Sequence, residues 1–343
     1  MRIGMLTGGG DCPGLNAVIR AVARASIDRG DEVVGVMHGW RGMVEGQTRP
    51  LGEHEVSGLL PRGGTILRTS RTNPFDIDGG VERLLEHLAS LDALVAIGGE
   101  DTLGVAAHLN AEHGAHIVGV PKTIDNDLNG TDYTFGFDTA VTIATEAIDR
   151  LHSTAESHDR VMVCEVMGRQ TGWIAVMAGM AGGADVILIP ELPMTVEHCC
   201  ELIRKRHTKG KDFSIVVVSE GYELLFESGE SRAVASADVD AFGHPRLGGV
   251  GTALAAEIEQ RTHFETRVTT LGHVQRGGSP TARDRVLATR FGLKAADLVH
   301  EGSWGMMAAL RGDEIVAVPI SEAVSQLKLV PRELYEQSGA FFG

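Results

Sequence analysis

Short apolar runs alternate along this chain with longer stretches of helical pattern. The runs RIGMLT, EVVGVM, ALVAIG, HIVGV, RVMVCEVM, DVILIP, SIVVVSEG and TRVTTLG are rich in β-branched residues and nearly continuous in their hydrophobicity. Such runs predict strands buried on both faces of mostly parallel sheets, with helices between them as covers. The expected class is α/β. Gly, Asp or Glu follows most of the runs at once, which collects polar residues at the carboxyl ends of the strands, where ligands of open α/β sheets bind. Residues 222–247, YELLFESGESRAVASADVDAFGHPRL, break the rhythm with acids, Gly and Ser and read as a surface excursion.

The 343 residues are enough for about two domains of ordinary size. Glycine is the compositional outlier, with 44 residues, which points to tight turns and to backbone that approaches a ligand closely. Lys and Arg total 31 against 46 acids, a formal net charge of −15. Such a surface repels nucleic acid and anionic membrane, so a phosphorylated substrate has to meet a local cluster of cations. The N-terminal apolar run is too short for a signal peptide, and the weakly charged stretch GWIAVMAGMAGGA is glycine-rich and ends at Asp185; a cytoplasmic protein is expected. Cys12, Cys164, Cys199 and Cys200 lack metal-ligand spacing and read as reduced thiols in or near the core.

Four constellations carry chemistry. In LTGGGDCPGLNAVIRAV, residues 6–22, three glycines turn the chain after a strand and Pro13 stands where a first helical turn should begin. The turn is phosphate-sized, yet it is neither the dinucleotide fingerprint, which needs glycine at position 13, nor a P-loop. In LVAIGGEDTLG, residues 94–104, two glycines lead into Glu100 and Asp101 at a helix start, a place that ordinarily attracts anions. The loop GVPKTIDNDLNGTDYTFGFDTA, residues 119–140, offers Lys122, Thr123, Asp125 and Asp127 together; carboxylates at a phosphate site can hold Mg²⁺ or accept a proton from an attacking hydroxyl. Lastly, Arg160, Met167, Gly168 and Arg169 flank one strand, and Arg267, His273 and Arg276 surround another with its glycine turn, an arrangement suited to gripping a sugar phosphate.

Taken together, GGGDCPGLN, GGTILRTSR, GGEDT, PKTIDND, TDYTFGFDTA, VMGR, SEG and LGHVQRGG resemble the phosphofructokinase family in order and spacing, over essentially the whole chain. The resemblance implies two three-layer α/β/α domains with mostly parallel sheets and the active site in the cleft between them. Residues 1–136 plus 275–325 would form the domain for the phosphoryl donor, and 137–274 plus 326–343 the fructose 6-phosphate domain. By the same resemblance Asp125 is the base for the sugar 1-hydroxyl, Thr123 stands at the transferred phosphoryl group and Asp127 supports the base. Met167, Gly168, Arg169, Glu220, His273 and Arg276 hold the sugar phosphate, with Arg169 also serving catalysis. Arg160 and Arg267 reach the 6-phosphate of a neighbouring subunit, implying a homodimer or homotetramer with shared sites. Gly9, Gly10, Arg71 and Thr102 are donor contacts, and Glu100 is the acid associated with Mg²⁺.

The donor is read from Asp101. Family members that use ATP carry glycine at this place, and a β-carboxylate there opposes a nucleotide's phosphate by bulk and by charge, up to a few kcal/mol at ~4 Å and an effective dielectric near 20. Lys122 offsets that charge and suits a compact donor, so diphosphate is the expected donor and ATP the alternative. A nicotinamide oxidoreductase is a remote alternative that the missing G-x-G-x-x-G disfavours. Arg20, Arg24, Lys209 and Lys211 match cations of the family's effector site, but two further arginine positions fall near His54 and at His152, so strong nucleotide control is not expected.

Overall fold

The computed structural model describes residues 1–233, 235–239 and 245–343. The strands are β1 Arg2–Thr7, β2 Glu32–Val36, β3 Thr48–Pro50, β4 Ala93–Gly98, β5 Ile117–Thr123, β6 Phe135–Gly136, β7 Val161–Val166, β8 Val186–Leu188, β9 Ser214–Ser219, β10 Leu224–Leu225, β11 Ser231–Arg232, β12 Ala235–Val239, β13 Pro245–Leu247, β14 Thr266–Thr270, β15 Met306–Arg311 and β16 Glu314–Pro319. The helices are α1 Leu15–Ile27, α2 Trp40–Glu45, α3 Gly80–Leu88, α4 Glu100–His113, α5 Phe137–His158, α6 Trp173–Ala181, α7 Val196–Thr208, α8 Val250–Thr262, α9 Ala282–His300, α10 Ile320–Ala323 and α11 Arg332–Gly339. Among the described residues the chain divides into two compact units, one of residues 1–139 and 276–327, the other built mainly from 140–239, 245–275 and 328–343.

The first unit is built on an eight-stranded sheet in the order β16-β15-β5-β4-β1-β2-β3, with β6 beside the end of β5. Its centre is parallel: β1 pairs with β2 and β4, and β4 with β5. These strands are apolar nearly throughout because both faces are covered; every residue of β4 and β5 is buried. The flanks are antiparallel, β3 on β2 and β16 on β15, so the sheet is mixed where the apolar runs alone predict parallel pairing. The hairpin β15–β16 turns through Gly312, at φ 59°, and Asp313, a Gly-Asp signal between two apolar runs that the sequence reading passed over. Successive connections lead from β1 to β2 on one side and from β4 to β5 on the other, so the strand order reverses between β1 and β4. Their carboxyl ends form the topological switch point of the unit.

The second unit holds a four-stranded, wholly parallel sheet, β14-β7-β9-β8. Val161, Val163, Val216 and Val218 pack with Cys199, Cys200, Ile203, Leu254 and Ile258 in its core. All four cysteines are free and buried, and burial pushes each thiol up in pKa, to about 12 for Cys164 and about 11 for Cys200. Part of the excursion at 222–247 forms two small hairpins, β10–β11 and β12–β13; residues 234 and 240–244 of it lie outside the described residues. No helix among the described residues is long and apolar enough to cross a membrane.

Candidate active site

The glycine turn after β1 lies at the switch point. Gly8 donates its N–H to Ile97 O on β4 at 3.0 Å, and Gly9 donates to Ser70 O at 3.1 Å. The helix that follows starts later than Pro13 suggests: α1 begins at Leu15, with Gly14 as its N-cap at φ 112°. Pro13 therefore belongs to the turn. A β-carbon on Gly14 would strike the Phe135 ring at 2.6 Å, so both the backbone angle and the packing require glycine there.

After β4, α4 begins at Glu100 with Gly99 as N-cap. Glu100 and Asp101 both sit in the first turn, as the sequence places them, and neither is the cap. Carboxylates in a first turn are favoured by the unpaired N–H groups and the helix dipole. Thr102 is buried, and its backbone carbonyl accepts the Trp40 indole N–H at 3.3 Å. That bond fixes the helix start from behind.

The end of β5 brings Lys122 to the same place. Its side chain is only 4% exposed, and its ammonium donates to Gly10 O. Burial lowers its pKa from the usual lysine range, and the Arg276 guanidinium lowers it further, while Asp125 and Asp11 pull the other way. Arg276 rests directly on Gly10, where a β-carbon would collide with its guanidinium. Two cations thus bracket one glycine turn, which makes the potential there positive and suits it to an anion.

The loop beyond β5 aims its carboxylates through an unusual backbone. Asn126, between Asp125 and Asp127, has φ 53° in the left-handed region, which Asn tolerates better than most residues. Its Oδ1 accepts the Thr134 N–H at 3.1 Å, and the Thr134 hydroxyl donates to Thr123 O at 2.8 Å. Thr123 Oγ1 accepts the Asp125 N–H at 3.0 Å and lies 3.4 Å from Asp125 Oδ2. Asp125 is 3% exposed. No group of three or more His, Cys, Asp or Glu forms a ready metal cage among the described residues. The available donors are hard carboxylate oxygens on Glu100, Asp125 and Asp127, which suit a cation held by one or two carboxylates plus phosphate oxygens and water.

In the second unit, the β7 end and the β9 end are tied together. Glu220 Oε1 accepts the N–H groups of Gly168 at 3.3 Å and Arg169 at 3.1 Å. Gly221 is required by the Arg169 carbonyl, which a β-carbon would strike, and Arg169 itself has φ 51°. Met167 donates its N–H to Gln275 Oε1 at 2.7 Å. Gln275 is fully buried and was missed by the sequence reading; nothing in HVQRGG distinguishes it until burial does.

Arg276 is with Gly10 and Lys122 in the first unit, and His273 is exposed in the 3₁₀ turn Gly272–Gln275. Arg267 pairs with Glu265, which Arg160 also contacts at 2.7 Å. The Arg160 guanidinium holds the Glu265 carboxyl below its usual range. Arg71 is exposed, one residue beyond the Ser70 carbonyl that Gly9 contacts.

A relative from Amycolatopsis methanolica, named pyrophosphate–fructose 6-phosphate 1-phosphotransferase, is 59% identical with 100% of both chains covered. One from Mycobacterium leprae (strain TN), named ATP-dependent 6-phosphofructokinase, is 52% identical, again over 100% of each. The crystal structure of Pichia pastoris phosphofructokinase in the T-state superposes with a TM-score of 0.82 at 33% identity, covering 94% of this chain and 37% of that one. A family profile described as Phosphofructokinase matches residues 2–299. Matched over most of its length, and alike in sequence from end to end, this chain belongs to the phosphofructokinase family.

Proposed function

We propose that the chain is a diphosphate-dependent 6-phosphofructokinase, transferring a phosphoryl group reversibly from diphosphate to the 1-hydroxyl of fructose 6-phosphate. One observation carries the choice of donor: the Lys122 ammonium is buried against the Gly9–Gly10 turn while α4 opens with Glu100 and Asp101. The identity to the Amycolatopsis methanolica enzyme supports the same reading.

In this reading Gly9 and Gly10 of the glycine turn, Lys122, Thr102 and Arg71 hold the donor. The Asp101 carboxylate fills the room that a nucleotide would need. Asp125 accepts the proton of the sugar hydroxyl as the new P–O bond forms, with Asp127 beside it and Thr123 at the transferred group. Met167, Gly168, Glu220, His273 and Arg276 hold the sugar phosphate, and Arg169 neutralises the charge that spreads over the moving phosphoryl oxygens. Mg²⁺, held by Glu100 with Asp127 in support, would supply charge neutralisation on the phosphates. Phosphoryl transfer asks little more of the protein than alignment and charge. The enzyme is cytoplasmic in this reading, with Arg160 and Arg267 serving a neighbouring copy in a homodimer or homotetramer.

The relative named ATP-dependent at 52% identity favours a second reading with ATP as donor. Initial rates with each donor at matched magnesium decide between them. We expect turnover with diphosphate and about 10-fold less or none with ATP, the scale of a lost phosphate contact; equal rates with both would refute the reading.

A further inference from the structure

Asn16 stands in the first turn of α1, fully buried, and its whole amide is committed to one loop. Nδ2 donates to the carbonyls of Arg62 at 3.0 Å and Gly63 at 3.2 Å, and Oδ1 accepts the Ile66 N–H at 2.9 Å. A polar amide inside a helix start is retained only where such bonds offset its desolvation. The segment 62–71 that it grips has no strand or helix of its own, so side-chain bonds have to define its path.

That path runs along the glycine turn. Thr65 Oγ1 meets Thr7 Oγ1 at 3.0 Å, and the Thr7 hydroxyl donates to Arg68 O at 2.7 Å. The Thr69 hydroxyl donates to Gly9 O at 2.5 Å, and Gly9 N–H donates to Ser70 O. Arg71 comes next. At the other end of the segment Gly63 abuts the Gly278 carbonyl so closely that it has no room for a β-carbon. Gly278 lies two residues beyond Arg276, whose guanidinium rests on Gly10. The amide therefore sits behind the wall of the anion site and touches none of its cations.

We propose that Asn16 is a positioning residue: its carboxamide sets segment 62–71 against the Gly9 turn and, through it, the guanidinium of Arg71, so that it governs affinity for the phosphoryl donor without contacting it. The inference rests on the reading above in taking Gly9 and Arg71 as donor contacts.

The test is a double-mutant cycle of Asn16→Ala and Arg71→Ala, run with whichever donor the unaltered enzyme turns over, so that an error in donor identity leaves it intact. Asn16→Ala should raise KM for the donor about 10-fold, leave KM for fructose 6-phosphate within about twofold, and cost little more once Arg71 is gone. Hydrogen exchange across residues 62–71 should quicken in the same variant while β1 stays protected. An unchanged donor KM, equal rises in both KM values, full additivity with Arg71→Ala, or unchanged exchange would each overturn the proposal. If Asn16→Ala does not fold, Asn16→Asp, which keeps the size and the acceptor but turns a carboxylate on two carbonyls, yields the same readings. An enzyme inactive with both diphosphate and ATP would refute the reading of function, and the exchange measurement would still decide the role of Asn16.

Discussion

The Thr102 side chain stands where a β-carbon on Gly8 would have to go, and it blocks one on Gly98 as well. One threonine in the first turn of α4 thereby keys into the ends of both β1 and β4, the two strands between which the sheet order reverses. Replacing Gly8 by Ala should force α4 off the sheet and cost about 1–3 kcal/mol as overpacking. Thr102→Ala in the same chain should recover most of that loss. Denaturant unfolding of the wild type, both single variants and the double variant measures the coupling; strictly additive costs would place the clash elsewhere.

Removing the Asp101 side chain is expected to open the donor site. Asp101→Gly should make turnover with ATP measurable, because the bulk and charge that oppose a nucleotide's phosphate are gone. ATP turnover should stay low, since the buried ammonium remains in place. Rates with both donors at matched magnesium check this, and a variant still silent with ATP would locate donor selection outside position 101.

If Asp125 takes the proton, Asp125→Ser should lower kcat by roughly 10²-fold or more while KM for fructose 6-phosphate changes little. The segment is held by Thr123, Asn126 and Thr134 as well as by Asp125 itself, so the loop should survive the change. Near-normal turnover would reassign the proton to another group.

Stability should carry a signature of Asp284. This fully buried carboxyl accepts the Thr139 N–H at 2.8 Å and the Thr139 hydroxyl at 2.5 Å, joining the start of α5 to the start of α9. Burial nonetheless raises its pKa from 3.8 to about 6, against the pull of those two bonds. Between about pH 4 and 6 the native chain therefore binds a proton that the unfolded chain has released, and stability falls as pH rises through that window, by up to about 3 kcal/mol. Asp284→Asn should remove this slope and leave a pH-independent offset from the lost contacts. Denaturation midpoints of both proteins from pH 4 to 7 measure it; parallel curves would mean that Asp284 is ionised throughout.

Local pattern decided a great deal here. Short β-branched apolar runs bounded by turn residues read as strands of a covered sheet, so β1, β2, β4, β5, β7, β8 and β9 were legible in the sequence, as was the more exposed β14. Glycines that terminate those runs marked the turns at the strand ends. The sequence alone also put Lys122, Thr123, Asp125 and Asp127 on a single loop, since covalent spacing guarantees it.

Tertiary structure decided what depends on partners distant in the chain. The short antiparallel strands β3 and β16 take their places from neighbouring strands rather than from their own periodicity. Arg276 reaches Gly10 across more than 260 residues, and Gln275 reaches Met167 across 108; burial and hydrogen bonding at such separations arise only once the sheet has brought the strand ends together. The same is true of Asn16, which looks from its neighbours like one more residue of a helix start and acquires its meaning from a loop 46 residues away.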